Sequence, residues 1–171
     1  PPRSTLFPYT TLFRSQYATT LFNAVFFAGL PVVEREPHSL YISHYPIGRD
    51  ATVAWGAIDF RFKNDTGAGI MIRSWIDGGA LTVALVGKTG RTVAYTTSSF
   101  YDLRKPAHGK LDPRVIYDDD LGPGVIRWEQ GIDGRTVKVQ RTVKDGGGEV
   151  LFRDTFVSRY APLDWVKRVG Q

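Results

Sequence analysis

The chain has 171 residues, of which 42% are hydrophobic and 23% are charged. This composition supplies a core for one domain or two small ones and excludes a disordered chain. The chain contains no cysteine, which excludes disulfides and zinc sites built on thiolates. Its three histidines lack the spacing of zinc ligands, so we expect neither a metal nor another cofactor.

The charge balance is basic, with 22 Lys and Arg against 17 Asp and Glu and a net charge of +5. The basic residues stand singly within alternating segments, without a run of like charges or a nucleic-acid-binding motif. We therefore expect attraction to polyanionic surroundings but no nucleic-acid partner. The longest apolar run, residues 24–33, is too short to span a membrane, so a membrane anchor would have to lie upstream.

The first fifteen residues read PPRSTLFPYTTLFRS. They resemble translated sequencing-adapter read-through, which predicts that residues 1–15 are a non-native leader. The alternative is an ordinary polar N-terminal arm. In both cases the prolines and the weak periodicity predict a poorly anchored segment.

The first predicted helix runs from Thr19 to Ala28. Its apolar residues cover more than one face, which is typical of a helix buried against a sheet. Gly29 and Pro31 are expected to end it. Asn23 is polar within this helix, and burial would require it to hydrogen-bond a neighbouring loop.

Alternation of apolar and polar residues begins at Leu40 and predicts strands over residues 39–45, 51–55, 59–63, 70–76 and 81–86. The sequence Asp77-Gly78-Gly79 predicts a hairpin between the last two. These strands are close enough in sequence to form an antiparallel sheet on which the helix packs. The predicted fold class is therefore α+β.

Residues 89–111 are irregular and predict a linker. Beyond residue 112, glycine-containing turns separate predicted strands at 125–129, 136–143 and 149–158. This spacing resembles the small all-β five-glycine domain, called here the G-five domain. A generic β-ribbon is the alternative reading.

The strongest motif lies between Gln16 and Gly56. The helix start reads QYATTLFNA, and it is followed by the element REPHS and by the turn YPIGRDATV. This combination resembles the VanW family of bacterial cell-envelope domains over residues 16–88, and a G-five domain often follows such a domain. In that family a glycine-rich turn and a cysteine precede the glutamine, whereas Ser15 stands at the cysteine's position here.

The resemblance implies an exported protein at the cell wall or the membrane-anchored outer surface, because some family members are regarded as cysteine L,D-transpeptidases acting on peptidoglycan stem peptides. That chemistry requires a thiolate, a base and a group that holds the base. We predict His38 as the base, oriented by Asp50 or Asn23. The predicted substrate-binding residues are Gln16, Ser39 and Arg49.

A cysteine at position 15 would lie just before the predicted helix, where the helix dipole favours the thiolate. Because Ser15 cannot replace it readily, we expect this chain to be inactive. A histidine beside proline is commonly structural, so a structural role is the alternative to catalysis for His38. For Arg49 the alternative to substrate binding is an ion pair with Asp50 or Asp59 that fixes the turn.

Outside the motif, residues 118–120 are three consecutive acids that predict a solvated turn rather than a calcium site. Trp128 or Tyr160, if exposed, would suit stacking on a glycan.

These expectations combine into a leader (1–15), a VanW-type domain truncated at its N-terminus (16–88), a linker (89–111) and a G-five-like β module (112–171). The predicted function is action on, or binding to, peptidoglycan stem peptides and glycan, and the intact form is expected to be an acyl transferase. The alternative is a non-catalytic envelope binding or scaffold protein. Placement of His38 and Asp50 beside the start of the predicted helix would favour catalysis.

Overall fold

The computed structural model describes residues 7–88 and 90–171. These residues form two compact units. The first comprises residues 7–38, Ser43–Ser98 and Lys138–Ser158, and the second comprises Ser39–Ile42, Ser99–Val137 and Arg159–Gln171. The units therefore do not follow the boundaries predicted at residues 88 and 112.

The described residues contain one helix and eleven strands. In chain order these are α1 (Phe7–Phe27), β1 (Val32–Glu34), β2 (Arg61–Phe62), β3 (Ile70–Asp77), β4 (Ala80–Gly87), β5 (Thr92–Thr97), β6 (Tyr101–Arg104), β7 (Arg114–Asp118), β8 (Ile126–Glu129), β9 (Gly134–Lys144), β10 (Val150–Tyr160) and β11 (Val166–Gly170). One helix with many strands, most of them paired antiparallel, is consistent with the predicted α+β class. The helix does not combine the length and apolarity that a bilayer crossing requires, within the part of the chain that is described.

Helix α1 begins twelve residues before the predicted start at Thr19. Residues 1–6 of the predicted leader lie outside the described residues, and Phe7–Ser15 form the first turns of the helix. Pro8 is tolerated because the first turn lacks intrahelical partners for its N–H groups. The expectation that residues 7–15 precede the helix is therefore wrong.

The end of α1 follows the prediction closely. Gly29 adopts a left-handed φ of 68°, and the N–H of Leu30 donates to the carbonyl of Val25 at 3.2 Å, as in a glycine-terminated helix. A Cβ at Gly29 would lie 2.9 Å from Cγ1 of Val143. Both the backbone conformation and the close approach of β9 therefore favour glycine here.

The first unit packs its core around α1. Phe22 and Phe26 are fully buried and cluster with Ala18, Ala51 and Val139. Edge-to-face ring contacts extend this cluster, an arrangement that aromatic quadrupoles favour. The unit contains the antiparallel pair β1-β2, the hairpin β3-β4 and the strand order β10-β9-β5. Val139 of β9 therefore belongs to this core, although β9 lies far outside the segment predicted to form the first domain.

Several strand predictions are confirmed and others are wrong. The hairpin β3-β4 forms with Gly78 and Gly79 at positive φ in its turn, and β8, β9 and β10 occur where strands were predicted. Residues 39–45 form no strand, residues 51–55 contribute only isolated bridges, and the predicted strand 59–63 shrinks to β2. The predicted linker 89–111 contains β5 and β6.

The second unit is built on a three-stranded sheet. Strand β11 pairs in parallel with β7 and antiparallel with β8, while β6 pairs with the start of β9. Directly paired residues share one face of a sheet. One face therefore carries the apolar set Val115, Tyr117, Ile126, Trp128 and Val169 together with Lys167, and the other carries charged residues.

Candidate functional site

The candidate site lies along the segment 49–52, which α1 holds in place. Thr19 and Asn23 are four residues apart and therefore lie on one side of the helix. The Thr19 hydroxyl accepts from the N–H of Ala51 and donates to its carbonyl, both at 3.0 Å. The side-chain amide of Asn23 donates to the carbonyl of Arg49 at 2.8 Å. Asn23 thus bonds a neighbouring loop, as its place in the helix predicted.

Ser15 continues this polar side of α1 by one further turn. It is 4% exposed, and its Oγ lies 3.4 Å from Oγ1 of Thr52. Because α1 begins at Phe7, position 15 lies inside the helix rather than before its N-terminus. The predicted contribution of the helix dipole to a thiolate at this position is therefore absent from this chain.

Asp50 is the centre of a buried polar cluster with Arg35 and His38. Its Oδ1 lies 3.1 Å from Nη2 of Arg35, and the two side chains are 4% and 3% exposed. Nε of Arg35 also donates to the backbone carbonyl of Asp50 at 2.6 Å. The other carboxylate oxygen, Oδ2, accepts from the backbone N–H of His38 at 2.8 Å. Such charge-assisted hydrogen bonds fix the carboxylate in one orientation.

The His38 imidazole uses one nitrogen and leaves the other without a partner. Nδ1 lies 2.8 Å from Oδ2 of Asp50. Nε2 is buried and makes no hydrogen bond to any described residue. The structure therefore brings His38 together with Asp50, and Asn23 contacts the same segment one residue earlier.

Tyr45 packs against the His38 ring. The two rings are stacked with centroids 5.2 Å apart and an interplanar angle of 21°. The Tyr45 hydroxyl is buried without a hydrogen-bond partner among the described residues. Burial, and then the negative charge of Asp50, raise the pKa of Tyr45 above its ordinary value.

Arg49 does not form the ion pair considered for it. Its guanidinium lies over the rings of Phe27 and Tyr95, 4.9 and 4.8 Å from their centroids, and it makes no ion pair with a described residue. Asp59 pairs instead with Arg61 at 3.4 Å. Nη1 of Arg49 has no hydrogen-bond partner among the described residues. Arg49 is therefore a cation that aromatic rings stabilise without neutralising it.

The remaining predicted residues lie apart from this cluster. Gln16 is exposed on α1. Ser39 belongs to the second unit, where its carbonyl accepts from the N–H of Ala161 at 2.6 Å. Their predicted substrate contacts stay predictions.

The other residues considered from the sequence lie in different surroundings. No group of His, Asp and Glu side chains among residues 7–88 and 90–171 is arranged to hold a metal ion. Asp118 forms ion pairs with Arg127 at 3.5 Å and Arg168 at 3.4 Å. Tyr160 is 2% exposed and therefore cannot stack on a glycan, whereas Trp128 is 48% exposed.

A cleft of about 390 Å³ borders α1, lined mainly by apolar side chains of the helix and of β4. Its lining includes Phe27, Val83 and Arg91 but none of the residues of the Asp50 cluster. The predicted catalytic residues therefore do not line this cleft.

Residues 14–86 match the family model described as VanW like protein. This match confirms the predicted VanW resemblance over that segment, which includes Arg35, His38 and Asp50. Over 70 residues the chain is 47% identical to "Uncharacterized protein YoaR" of Bacillus subtilis (strain 168), a stretch that covers 41% of this chain and 23% of that relative. The chain thus spans less than a quarter of the relative's length. No solved structure matches the chain.

Two members of the cluster were missed as site residues. Arg35 stands in the REPHS element, but its sequence position gave no partner for it. Tyr45 begins the following turn and looked like part of a strand. Tyrosine and arginine near a predicted His-Asp pair were the available signals, although only the folded chain shows the contacts.

Proposed function

We propose that the intact protein is a cell-wall-associated acyl transferase acting on peptidoglycan stem peptides, with His38 as the general base. The observation that carries the proposal is that one imidazole nitrogen of His38 contacts a carboxylate while the other has no hydrogen-bond partner among the described residues. Asp50 holds Nδ1 at 2.8 Å, while Nε2 is buried without a partner. An unsatisfied buried polar atom costs about 1–3 kcal/mol, and exceptions of this kind concentrate at functional sites.

The proposed reaction uses a cysteine at the position of Ser15. Nε2 of His38 takes the thiol proton, and the thiolate attacks the carbonyl carbon of a stem-peptide bond. The C–N bond breaks as a thioester forms, and the imidazolium returns the proton to the leaving amine. The amine of a second peptide then attacks the thioester, which forms a new peptide bond and regenerates the thiol. Asp50 holds the ring throughout.

Arg49 is the proposed site for a substrate carboxylate. It carries a positive charge that no described carboxylate neutralises, and Asn23 fixes its backbone through the 2.8 Å hydrogen bond. Guanidinium groups bind carboxylates in a bidentate geometry. A free carboxylate is the feature of a stem peptide that this cation would recognise.

The test restores the missing nucleophile in the full chain. Ser15→Cys is combined with glycines at positions 12–14, which replaces the start of the helix by a glycine-rich turn. After incubation with a stem tetrapeptide, intact mass spectrometry should show an acyl group on the protein. His38→Ala should slow acylation about 100-fold or more, the usual contribution of a general base.

The matched control is Thr20→Cys with the same glycines, which places a thiol on the same helix without the contact to Thr52 that Ser15 makes. This control should not be acylated. Absence of acylation in the folded Ser15→Cys protein, or equal acylation with and without His38, would count against the proposal.

The second candidate is a non-catalytic envelope-binding function. It is supported by the exposed apolar face of the β7-β11-β8 sheet, where Trp128 and Tyr117 are 48% and 65% exposed. Aromatic rings on a flat face can stack on sugar rings. The proposed G-five-like module would bind wall glycan through this face.

Sedimentation with purified peptidoglycan tests the binding function. Trp128→Ala should reduce retention, while Trp55→Ala should not, although Trp55 is the more exposed tryptophan at 98%. Equal retention of the two variants would remove the glycan-binding role. Point variants are needed because deleting residues beyond 112 would also remove β9 and β10 from the first unit.

A further inference from the structure

We propose that a groove between β1 and β10 binds the substrate peptide in an extended conformation, as a strand inserted between the two. The groove, called here the β1-β10 groove, is lined by residues 32–35 and 154–157 and has a volume of about 250 Å³. Both segments belong to the first unit. The inference rests on the proposed function, because it assigns a binding site for the backbone of the peptide on which His38 would act.

Each of the two strands has one neighbouring strand among the described residues. Strand β1 pairs with β2, and β10 is the last strand in the order β10-β9-β5. A strand with one neighbour presents the backbone N–H and C=O groups of its other edge to a further strand. Such an edge can bind an extended peptide through main-chain hydrogen bonds.

The lining indicates that the β1-β10 groove follows the edges of both strands rather than a face. Successive side chains of a strand point to opposite faces, so a groove over a face is lined by every second residue. Here four consecutive residues of each segment, 32–35 and 154–157, line the groove. The free edge of β1 therefore faces the free edge of β10 across the groove.

The inner side of the groove is apolar. Val32 and Phe156 both pack against the core cluster of the first unit, and the ring centroids of Phe156 and Phe22 lie 5.4 Å apart. A peptide side chain on this face would meet the same core, because paired residues share one face of a sheet. Val33 and Thr155 are exposed. The groove therefore favours a peptide with an apolar side chain at every second position.

The three charged side chains that line the groove form ion pairs within the chain: Glu34 with Arg61 at 3.5 Å, Asp154 with Arg141 at 2.6 Å and Arg35 with Asp50 at 3.1 Å. We therefore expect the peptide backbone to contribute more to recognition than the peptide's charge. The last of these pairs also joins the groove to the candidate site, because Oδ2 of Asp50 lies 2.8 Å from Nδ1 of His38. A peptide bound along residues 32–35 would end beside that cluster.

The size of the groove suits a short peptide. Four residues of a strand rise about 13 Å, so a tetrapeptide matches the four residues that line the groove on each side. The volume of about 250 Å³ is below the roughly 300–1,000 Å³ of typical small-molecule pockets. A stem tetrapeptide is therefore the probe that the groove should accept.

The first test is amide hydrogen exchange, followed by NMR in the chain as it stands. A stem tetrapeptide at roughly ten times its dissociation constant should slow exchange of the groove-facing amides of β1 and β10 about tenfold. Strand β3 is the internal control, because it also has a single neighbour, β4, and lies in the same unit. Equal slowing in β3, or no slowing in β1 and β10, would overturn the proposal.

The second test distinguishes insertion between two edges from addition to one edge. Successive N–H groups of an extended peptide point to opposite sides. N-methylation at either of two consecutive inner residues should therefore weaken binding about tenfold, because one methyl group meets β1 and the other meets β10. Weakening at only one of the two positions, or at neither, contradicts insertion between the strands.

A different occupant would be detected without any peptide. Slow exchange in β1 and β10 that appears as the protein is concentrated, together with a dimer in analytical ultracentrifugation, would assign the groove to a second copy of the chain. That result would exclude the peptide as its occupant.

These readouts are independent of acyl transfer. If the tetrapeptide binds in the groove but the restored Ser15→Cys protein is never acylated, the groove assignment stands and the proposed function fails. If that protein is acylated equally fast by the N-methylated and unmodified peptides, at concentrations below saturation, the groove assignment fails and the proposed function stands.

Discussion

Arg141 offers the sharpest test of how the first unit is held together. This residue of β9 is 1% exposed, and its guanidinium donates to the carbonyls of Phe26 and Leu30 at 2.8 and 3.0 Å. Phe26 lies in the last turn of α1, where its carbonyl also accepts from the N–H of Gly29 at 3.2 Å, and Leu30 lies just beyond the helix. The remaining donors of Arg141 bind both carboxylate oxygens of Asp154, at 2.9 and 2.6 Å.

The expected cost of Arg141→Leu follows from these contacts. Removing one partner of a buried ion pair typically destabilises a protein by about 3–5 kcal/mol. Asp154 is 26% exposed, so water reaches it in part and we expect the lower end, about 3 kcal/mol. That is a large share of the roughly 5–15 kcal/mol by which domains are stable. Adding Asp154→Asn should recover part of the loss, because the uncompensated charge is then gone.

Urea unfolding followed by circular dichroism at 222 nm measures this effect, since the helix belongs to the first unit. The matched control is Arg153→Leu, which removes an exposed arginine of β10 and should change stability by less than about 0.5 kcal/mol. A loss below about 1 kcal/mol for Arg141→Leu, the scale of one ordinary hydrogen bond, would refute the assigned role of the ion pair.

Three further perturbations probe the surroundings of α1. Gly29→Ala should destabilise the first unit by about 1–2 kcal/mol or more, because φ is 68° and the new Cβ would meet Val143; thermal unfolding measures it. Thr19→Val should cost about 1–3 kcal/mol in urea unfolding, because the buried N–H of Ala51 loses its acceptor. Tyr45→Phe should flatten the alkaline loss of stability, since a pKa raised above 10.0 gives stability that is present below pH 10 and lost as pH rises further.

Each of these substitutions has a control substitution that should change the stability of the protein little. Gly147→Ala alters a glycine without positive φ or a crowded Cβ, and Thr20→Val removes a hydroxyl that bonds only its own helix, at the carbonyl of Gln16. Tyr117→Phe changes a tyrosine that is 65% exposed. Equal effects within any pair would contradict the contact on which that prediction depends.

The local sequence pattern was sufficient to predict strand pairing where the paired strands are near each other in sequence. The β3-β4 hairpin was predictable because both strands alternate and Gly78-Gly79 supply the turn. Residues 39–45 alternate equally well but form no strand. Tyr41 in this segment packs on Phe100 and Tyr160, whose positions no local pattern reveals. The parallel pairing of β7 with β11 joins segments about fifty residues apart and was missed for the same reason.

In the candidate site too, some contacts could be predicted from the sequence and others could not. His38 and Asp50 were predictable as a pair because both stand in the motif that resembles the VanW family, twelve residues apart. The ion pair and hydrogen bond that Arg35 makes with Asp50 could not be predicted, because an arginine near an aspartate in sequence has many possible partners. The helix start was misplaced because Ser15 was read as the end of a leader, whereas its side chain is buried against Thr52.

The most direct measurement of the central claim is the thiolate titration of Ser15→Cys, followed by ultraviolet absorbance with and without His38→Ala. Position 15 lies inside α1, so the helix N-terminus does not favour the thiolate, and the proposed function requires His38 to do so. The account predicts that thiolate forms at lower pH when His38 is present, by about one pH unit or more. Identical titration curves in the two proteins would contradict it.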